Sequence, residues 1–191
     1  DRYDLLDRYL HYAAAFCHHH HDLDLIVPEG VILHPDGSCW YRNGDLGNSV
    51  QQAEILKVAR LLCGLDDLDP TRAPRFIPRL PDAYDGFSLA GMPVAWSDGD
   101  GRIRTGRVDL AYRRIGGGYR ATVSAGPDET AGGLRIGSVR FGPFPPDTAP
   151  VARDGRGRRQ PGNLRRIRGR TFLDVSPAEA GSLELEAVIE P

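Results

Sequence analysis

Four carboxylates, Glu29, Asp36, Asp45 and Glu54, share one glycine-rich stretch with Trp40, Tyr41, Arg42, Asn43 and Asn48. Paired carboxyl groups suit glycoside cleavage: one acts as acid and the other as base or nucleophile, roughly 5 Å apart for retention and roughly 6.5–9.5 Å apart for inversion. Asp45 is the leading candidate. It lies in the polar segment Asn43-Gly-Asp-Leu-Gly-Asn48, directly before a helix start, where the helix dipole keeps a carboxylate ionised and fit for a base. Glu29, between Pro28 and Gly30, is its expected partner or a sugar ligand. The plainer alternatives are a capping Asp45 and a surface Glu29, with Asp36 in a turn and Glu54 on a helix surface.

Trp40, Tyr41, Arg42, Asn43 and Asn48, with His34, have the chemistry of a sugar subsite. An aromatic face covers the C–H side of a ring, while amide and guanidinium groups fix hydroxyl directions. The competing reading makes Trp40 a core aromatic and Arg42 an ion-pair partner. Cys17, His18 to His21, His34 and Cys39 lack the paired spacing of a zinc site. The residues imply no metal and no cofactor. Ser49 lies outside any G-x-S-x-G context and is explained as a helix N-cap, with Gln52 completing a capping box.

These residues need elements to hold them. Val31–His34 and Cys39–Arg42 flank Pro35-Asp-Gly-Ser38, which is turn chemistry and predicts a short hairpin. The loop at 43–48 would then sit at the positive end of a helix running from Ser49 to about Cys63, with Gly64 as its C-cap. Leu5, Leu6, Tyr9, Leu10, Ala13, Ala14 and Cys17 predict another helix by their spacing. Both helices have wide apolar faces, which calls for further helices upstream. The chain starts in a helical pattern and its single Met is Met92, so a piece of a longer chain is expected.

Length and composition set outer bounds. The chain has 191 residues, 40% of them hydrophobic, and a net charge of −2, which argues against bulk electrostatic binding of nucleic acid. Residues 1–70 hold 12 acidic and 5 basic side chains, and residues 71–191 hold 14 and 19, which places a boundary near residue 70. No apolar run reaches the ~18 residues of a membrane span. Three cysteines, Cys17, Cys39 and Cys63, are read as buried thiols and not as a disulfide framework.

Asp66–Pro81 carries Pro70, Pro74, Pro78 and Pro81 and reads as an extended linker. Beyond it the period changes to two, in Val108/Leu110/Tyr112, Tyr119/Ala121/Val123, Leu134/Ile136, Val139/Phe141 and Leu183/Leu185/Ala187/Ile189. Gly116-Gly-Gly118 marks a hairpin. Short alternating strands with Gly and Pro turns predict an antiparallel sandwich. Pro150–Arg170, with eight arginines and four glycines, reads as a long basic loop, solvated or partly disordered, with a polyanion as a possible contact.

The order of features resembles a known architecture. A loop Asn43-Gly-Asp-Leu-Gly-Asn-Ser-Val-Gln-Gln-Ala-Glu54 enters a helix, Phe76-Ile-Pro-Arg-Leu-Pro-Asp-Ala-Tyr84 follows, and then come Val94-Ala-Trp-Ser-Asp-Gly99 and Val108-Asp-Leu-Ala-Tyr112. This resembles the C-terminal part of (α/α)6-barrel glycoside hydrolases of the bacterial α-L-fucosidase- and α-L-rhamnosidase-like type. The resemblance implies an α+β fold: residues 1–68 as terminal helices and active-site loop of an (α/α) toroid, and residues 76–191 as an antiparallel β-sandwich. Of the family's acidic loop, only Asp45 inherits a position. The implied activity is glycoside hydrolysis of an oligo- or polysaccharide, with the rest of the barrel supplied by upstream chain or a partner subunit. The alternative is a non-catalytic carbohydrate-binding or accessory β-sandwich module. No membrane and no nucleic acid is implied, and localisation stays open between cytoplasmic and secreted.

Overall fold

The computed structural model describes residues 4–8, 10–11, 28–33, 40–46, 60, 62–69, 71–97, 100–125, 134–177 and 182–190, with backbone alone at 28–33, 40–46 and 125. The chain forms two compact units, Arg2–Arg60 and Leu61–Pro191.

In the first unit, residues 4–8 and 10–11 are helical, and β1 (Pro28–Leu33) pairs antiparallel with β2 (Trp40–Leu46). The predicted hairpin is present, but its second strand runs on through Leu46. Asn43–Leu46 is therefore strand and not a loop before a helix.

The second unit is a β-sandwich-like stack of two sheets. One has six strands in the order β10-β9-β13-β7-β6-β5, and the other has five in the order β11-β12-β8-β4-β3. In chain order these are β3 (Leu65–Asp66), β4 (Arg75–Phe76), β5 (Gly86–Ser97), β6 (Ile103–Ile115), β7 (Gly118–Ala125), β8 (Ser138–Phe144), β9 (Val151–Asp154), β10 (Arg159–Gln160), β11 (Gly162–Ile167), β12 (Arg170–Val175) and β13 (Leu183–Val188). Every pairing is antiparallel except β4 with β8.

Period-two burial explains the sheets. Val108, Leu110 and Tyr112 of β6, Ala121 and Val123 of β7, Val139 and Phe141 of β8, and Leu185 and Ala187 of β13 are all at most 1% exposed, and their strand neighbours are wetter. Each of the Val, Leu and Phe side chains contributes on the order of 1.5–3 kcal/mol by leaving water. Tyr112 sits at the centre. Its ring stacks on Tyr119 at 5.3 Å and meets Phe76 edge-on at 6.3 Å and Phe141 at 6.1 Å, so three strands of two sheets converge on it. Its hydroxyl accepts the Gly142 N–H (3.1 Å) and donates to the Gly142 carbonyl (3.4 Å), while the Tyr119 hydroxyl donates to Pro143 O (2.9 Å). These bonds tie the six-stranded sheet to β8 at buried positions, where unmet polar groups are costly.

Two expectations need correction. The regular structure described is mostly β, with helical residues at 4–8, 10–11, 60 and 62–63, and no (α/α) toroid is present among the described residues. The α+β barrel-end fold and the resemblance to an (α/α)6-barrel hydrolase are overturned. The physical reason lies in their key segments: Asn43–Leu46 is absorbed by a ladder with β1, and the proline-rich stretch joins the second sheet. There Pro74, Phe76, Pro78, Leu80 and Pro81 are buried, and β3–β4 extends the five-stranded sheet. Second, Pro150–Arg170 is not a loop. It contains β9, β10 and β11. Val151 and Ala152 anchor it in the core, and pairing with β12 carries its polar remainder.

Candidate functional site

The residues chosen from sequence fall in the first unit. Glu29 is in β1, and Trp40, Tyr41, Arg42, Asn43 and Asp45 are in β2. Pro28 pairs with Leu46 and Gly30 with Asn43, so a bulge leaves Glu29 opposite both Gly44 and Asp45. The two proposed acids therefore occupy facing register positions. His34 and Asn48 lie outside the described residues, as do Asp36, Ser49, Glu54, Cys17, Cys39 and His18–His21.

The described side chains place a different site on the sandwich, where Arg159–Gln160 forms one edge of the six-stranded sheet and β11 forms one edge of the five-stranded sheet. Only Pro161 separates them, so the chain steps from one sheet to the other and both edges lie on the same flank. Between Arg153 and Arg170 that flank carries eight arginines against one acid, Asp154.

Asp154 organises the first turn. Its Oδ1 accepts the backbone N–H of Arg156 and of Arg158, both at 2.9 Å. Its Oδ2 accepts Arg158 Nε at 2.7 Å and Gln160 Nε2 at 3.1 Å. Burial pushes the carboxyl up, but these donations and the Arg158 charge outweigh it and hold the group below its usual range. The carboxylate is thus ionised and fully engaged by the turn, which leaves it unsuited to acid–base work. Arg153 braces the same turn, donating to Gly157 O and pairing with Glu190.

The second turn is Arg168-Gly169, both left-handed at φ 50 and 73, between the paired ends Ile167 and Arg170. A two-residue hairpin of this hand fits the twist of β11 and β12. On β12, Asp174 serves two guanidinium groups, Arg140 at 2.6 and 3.0 Å and Arg165 at 2.6 Å. Arg166 pairs with Asp147 in the open, where both are more than 70% exposed and the pair is worth little. The guanidinium groups of Arg156, Arg159 and Arg168 have no acidic partner among the described residues, and all three are exposed.

Beside the Asp154 turn lies a cleft of about 240 Å³. Its floor is aliphatic (Pro177, Leu183, Leu185) and its rim polar (Arg158, Arg159, Gln160). A second cleft of about 340 Å³ lies along the start of β5, next to Arg113 and Arg114. Arg114 uses its N–H groups on the carbonyls of Leu80, Pro81 and Tyr84, on Asp82 and on the Tyr119 hydroxyl, which closes the 80–84 segment onto the sheet. That arginine is structural.

Sequence reasoning found the arginine run but not its geometry. The available signals were the Asp154-Gly-x-Gly157 and Arg168-Gly169 turns, which punctuate two short strands. Among the described residues no group of three His, Cys, Asp or Glu side chains is placed to hold a metal, and no helix is long and apolar enough to cross a membrane. Compared with models of protein families, with curated proteins and with solved structures, the chain matches none of them.

Proposed function

We propose that the Leu61–Pro191 unit is a non-catalytic carbohydrate-binding or accessory β-sandwich module whose working surface is the arginine-bearing flank. The observation that carries this reading is the cleft of aliphatic floor and hydrogen-bonding rim at Arg158, Arg159 and Gln160. A sugar ring needs both, an apolar surface for its C–H face and fixed donors for its oxygens. The one carboxylate there, Asp154, is engaged by four donors, which supports binding over cleavage.

The test is retardation of the chain in gels containing soluble polysaccharides, followed by calorimetry on any hit. Arg159→Ala removes a guanidinium with no fold partner, so binding is expected to weaken about tenfold, in line with the roughly 1–3 kcal/mol of a charge-assisted hydrogen bond. Unchanged affinity in that variant would remove the cleft from the function. A second reading rests on the β1–β2 bulge. The bulge sets Glu29 opposite Gly44 and Asp45, so we retain Asp45 and Glu29 as candidate base and partner of a paired-carboxylate glycosidase, with Trp40, Tyr41, Arg42 and Asn43 on the strand that carries Asp45. Assaying the same mixtures for released reducing ends, with Asp45→Asn as the control, decides between the two.

A further inference from the structure

Resting on the module reading, we infer that the flank takes a polyanionic glycan, carboxylated or sulfated, lying along β11 and across the Pro161 joint into the cleft. Three observations carry it.

The first is charge. Arg156, Arg159 and Arg168 are exposed without acidic partners among the described residues, and Arg165 and Arg166 lie exposed between them along β11. These charges lie on both sides of the joint, Arg156 and Arg159 before it and Arg168 after it. A bound sugar carrying one anion per repeat meets several of them in turn.

The second is the open edge of β11. Ile167 and Arg170 close a two-residue hairpin and are a hydrogen-bonded pair, so bonded pairs recur at Arg165–Phe172 and Asn163–Asp174. Gly162, Leu164 and Arg166 therefore turn their N–H and C=O groups away from β12, toward the open side of the strand. Their N–H groups recur about every 6.8 Å, two strand steps, and each is a fixed donor for an anionic oxygen.

The third concerns stacking. Neutral polysaccharides are held chiefly by exposed aromatic faces. In the described part of the sandwich Trp96, Tyr112, Tyr119, Phe141 and Phe144 are buried, and the exposed aromatic is Tyr84, distant from this flank in the sheet order. Charge and hydrogen bonding are thus what this surface offers.

The experiment titrates the full chain with a polyuronate, a sulfated glycan, a neutral β-glucan and duplex DNA of comparable length, at 50 and 200 mM salt. Tight binding to the polyuronate or the sulfated glycan is expected, with affinity falling by roughly tenfold or more over that salt range because counterions are released. Arg156→Glu combined with Arg168→Asn, where Asn tolerates the left-handed turn, is expected to weaken it by at least about tenfold. Arg107→Glu, at an exposed position of β6, changes charge by the same kind of step and is expected to leave affinity within about twofold. Melting curves of all variants check folding, and Arg156→Ala alone replaces the pair if it melts early. Equal, salt-insensitive binding to neutral glucan overturns the polyanion inference and leaves the module reading standing. Binding to no glycan sinks the module reading itself. Stronger binding to DNA than to either charged glycan also overturns the inference, in favour of nucleic acid.

Discussion

Gly64→Ala should be among the most damaging single-atom additions in the sandwich. Gly64 follows the helical residues 62–63 and precedes β3, at φ +69. Its carbonyl accepts the Ile77 N–H at 2.8 Å, and the Leu62 carbonyl accepts that of Arg79 at 2.9 Å. A methyl group built on Gly64 would lie 1.7 Å from Ile77 O and 2.2 Å from Ile77 C, both backbone atoms. The left-handed backbone alone costs a side chain about 1–2 kcal/mol. Relieving the overlap separates the 62–65 and 76–79 segments and forfeits both hydrogen bonds, about 1 kcal/mol each. Some packing of Cys63, Leu65 and Phe76, all at most 5% exposed, goes with them. The sum is about 3–5 kcal/mol, or roughly 10 °C in Tm at this chain length. Gly117→Ala is the control, because Gly117 has φ +75 and nothing within 4 Å, so only the backbone term of about 1–2 kcal/mol applies. Urea titrations followed by circular dichroism measure both. If the two variants lose the same stability to within about 1 kcal/mol, the close approach at Gly64 is not what fixes that residue.

Two further outcomes follow from buried and charged groups. Thr171 is 2% exposed, and its hydroxyl has no hydrogen-bond partner among the described residues, so Thr171→Val is expected to be neutral or stabilising by up to about 1 kcal/mol; a clear loss in chemical denaturation would contradict the unmet hydroxyl. Asp69 is held low by the Thr71 hydroxyl and N–H, and Asp154 is held low despite its burial, so each adds stability that is complete above pH ~4 and disappears as pH falls through the folded value. Burial pushes the Tyr119 hydroxyl up against the pull of Arg114, so its contribution is present below pH ~10 and is lost as pH climbs past that point. Melting temperature against pH should therefore drop at both ends, with Asp154→Asn flattening the acid side and Tyr119→Phe the alkaline side.

What was readable in the sequence depended on whether burial left a period. Val108/Leu110/Tyr112 and Leu183/Leu185/Ala187 alternate because one side of each strand faces the core, and these strands are present as read. Gly116-Gly117 marks the β6–β7 turn for the same local reason that Gly64 ends its helical turn, the freedom to take positive φ, which Gly117 shows at +75. β11 was invisible because Gly162–Arg166 is exposed throughout, so no alternation reports it and only its register with β12 makes it a strand. The helical toroid failed for the opposite reason. Helical spacing in a short stretch says nothing about companions, and the segment meant to present Asp45 was claimed by partners 13 to 18 residues upstream, Gly30 for Asn43 and Pro28 for Leu46. The flank site was half visible: composition showed the arginines, but only topology brings Arg159 and Arg165 to the same side.

Strand order also bears on how the protein is made. β13 is the last of the described strands, yet it lies inside the six-stranded sheet with β7 on one side and β9 on the other. β5, β6 and β7 can zip together as a meander while translation continues. β9 ends at Asp154 and β13 begins at Leu183, so at the usual 5–20 residues per second β9 waits roughly 1.5–6 s for its neighbour to be synthesised. Through that interval the β9–β10 hairpin has no sheet to belong to. Its many charges then act as a solubilising brake, which keeps an unfinished edge from pairing with the wrong strand.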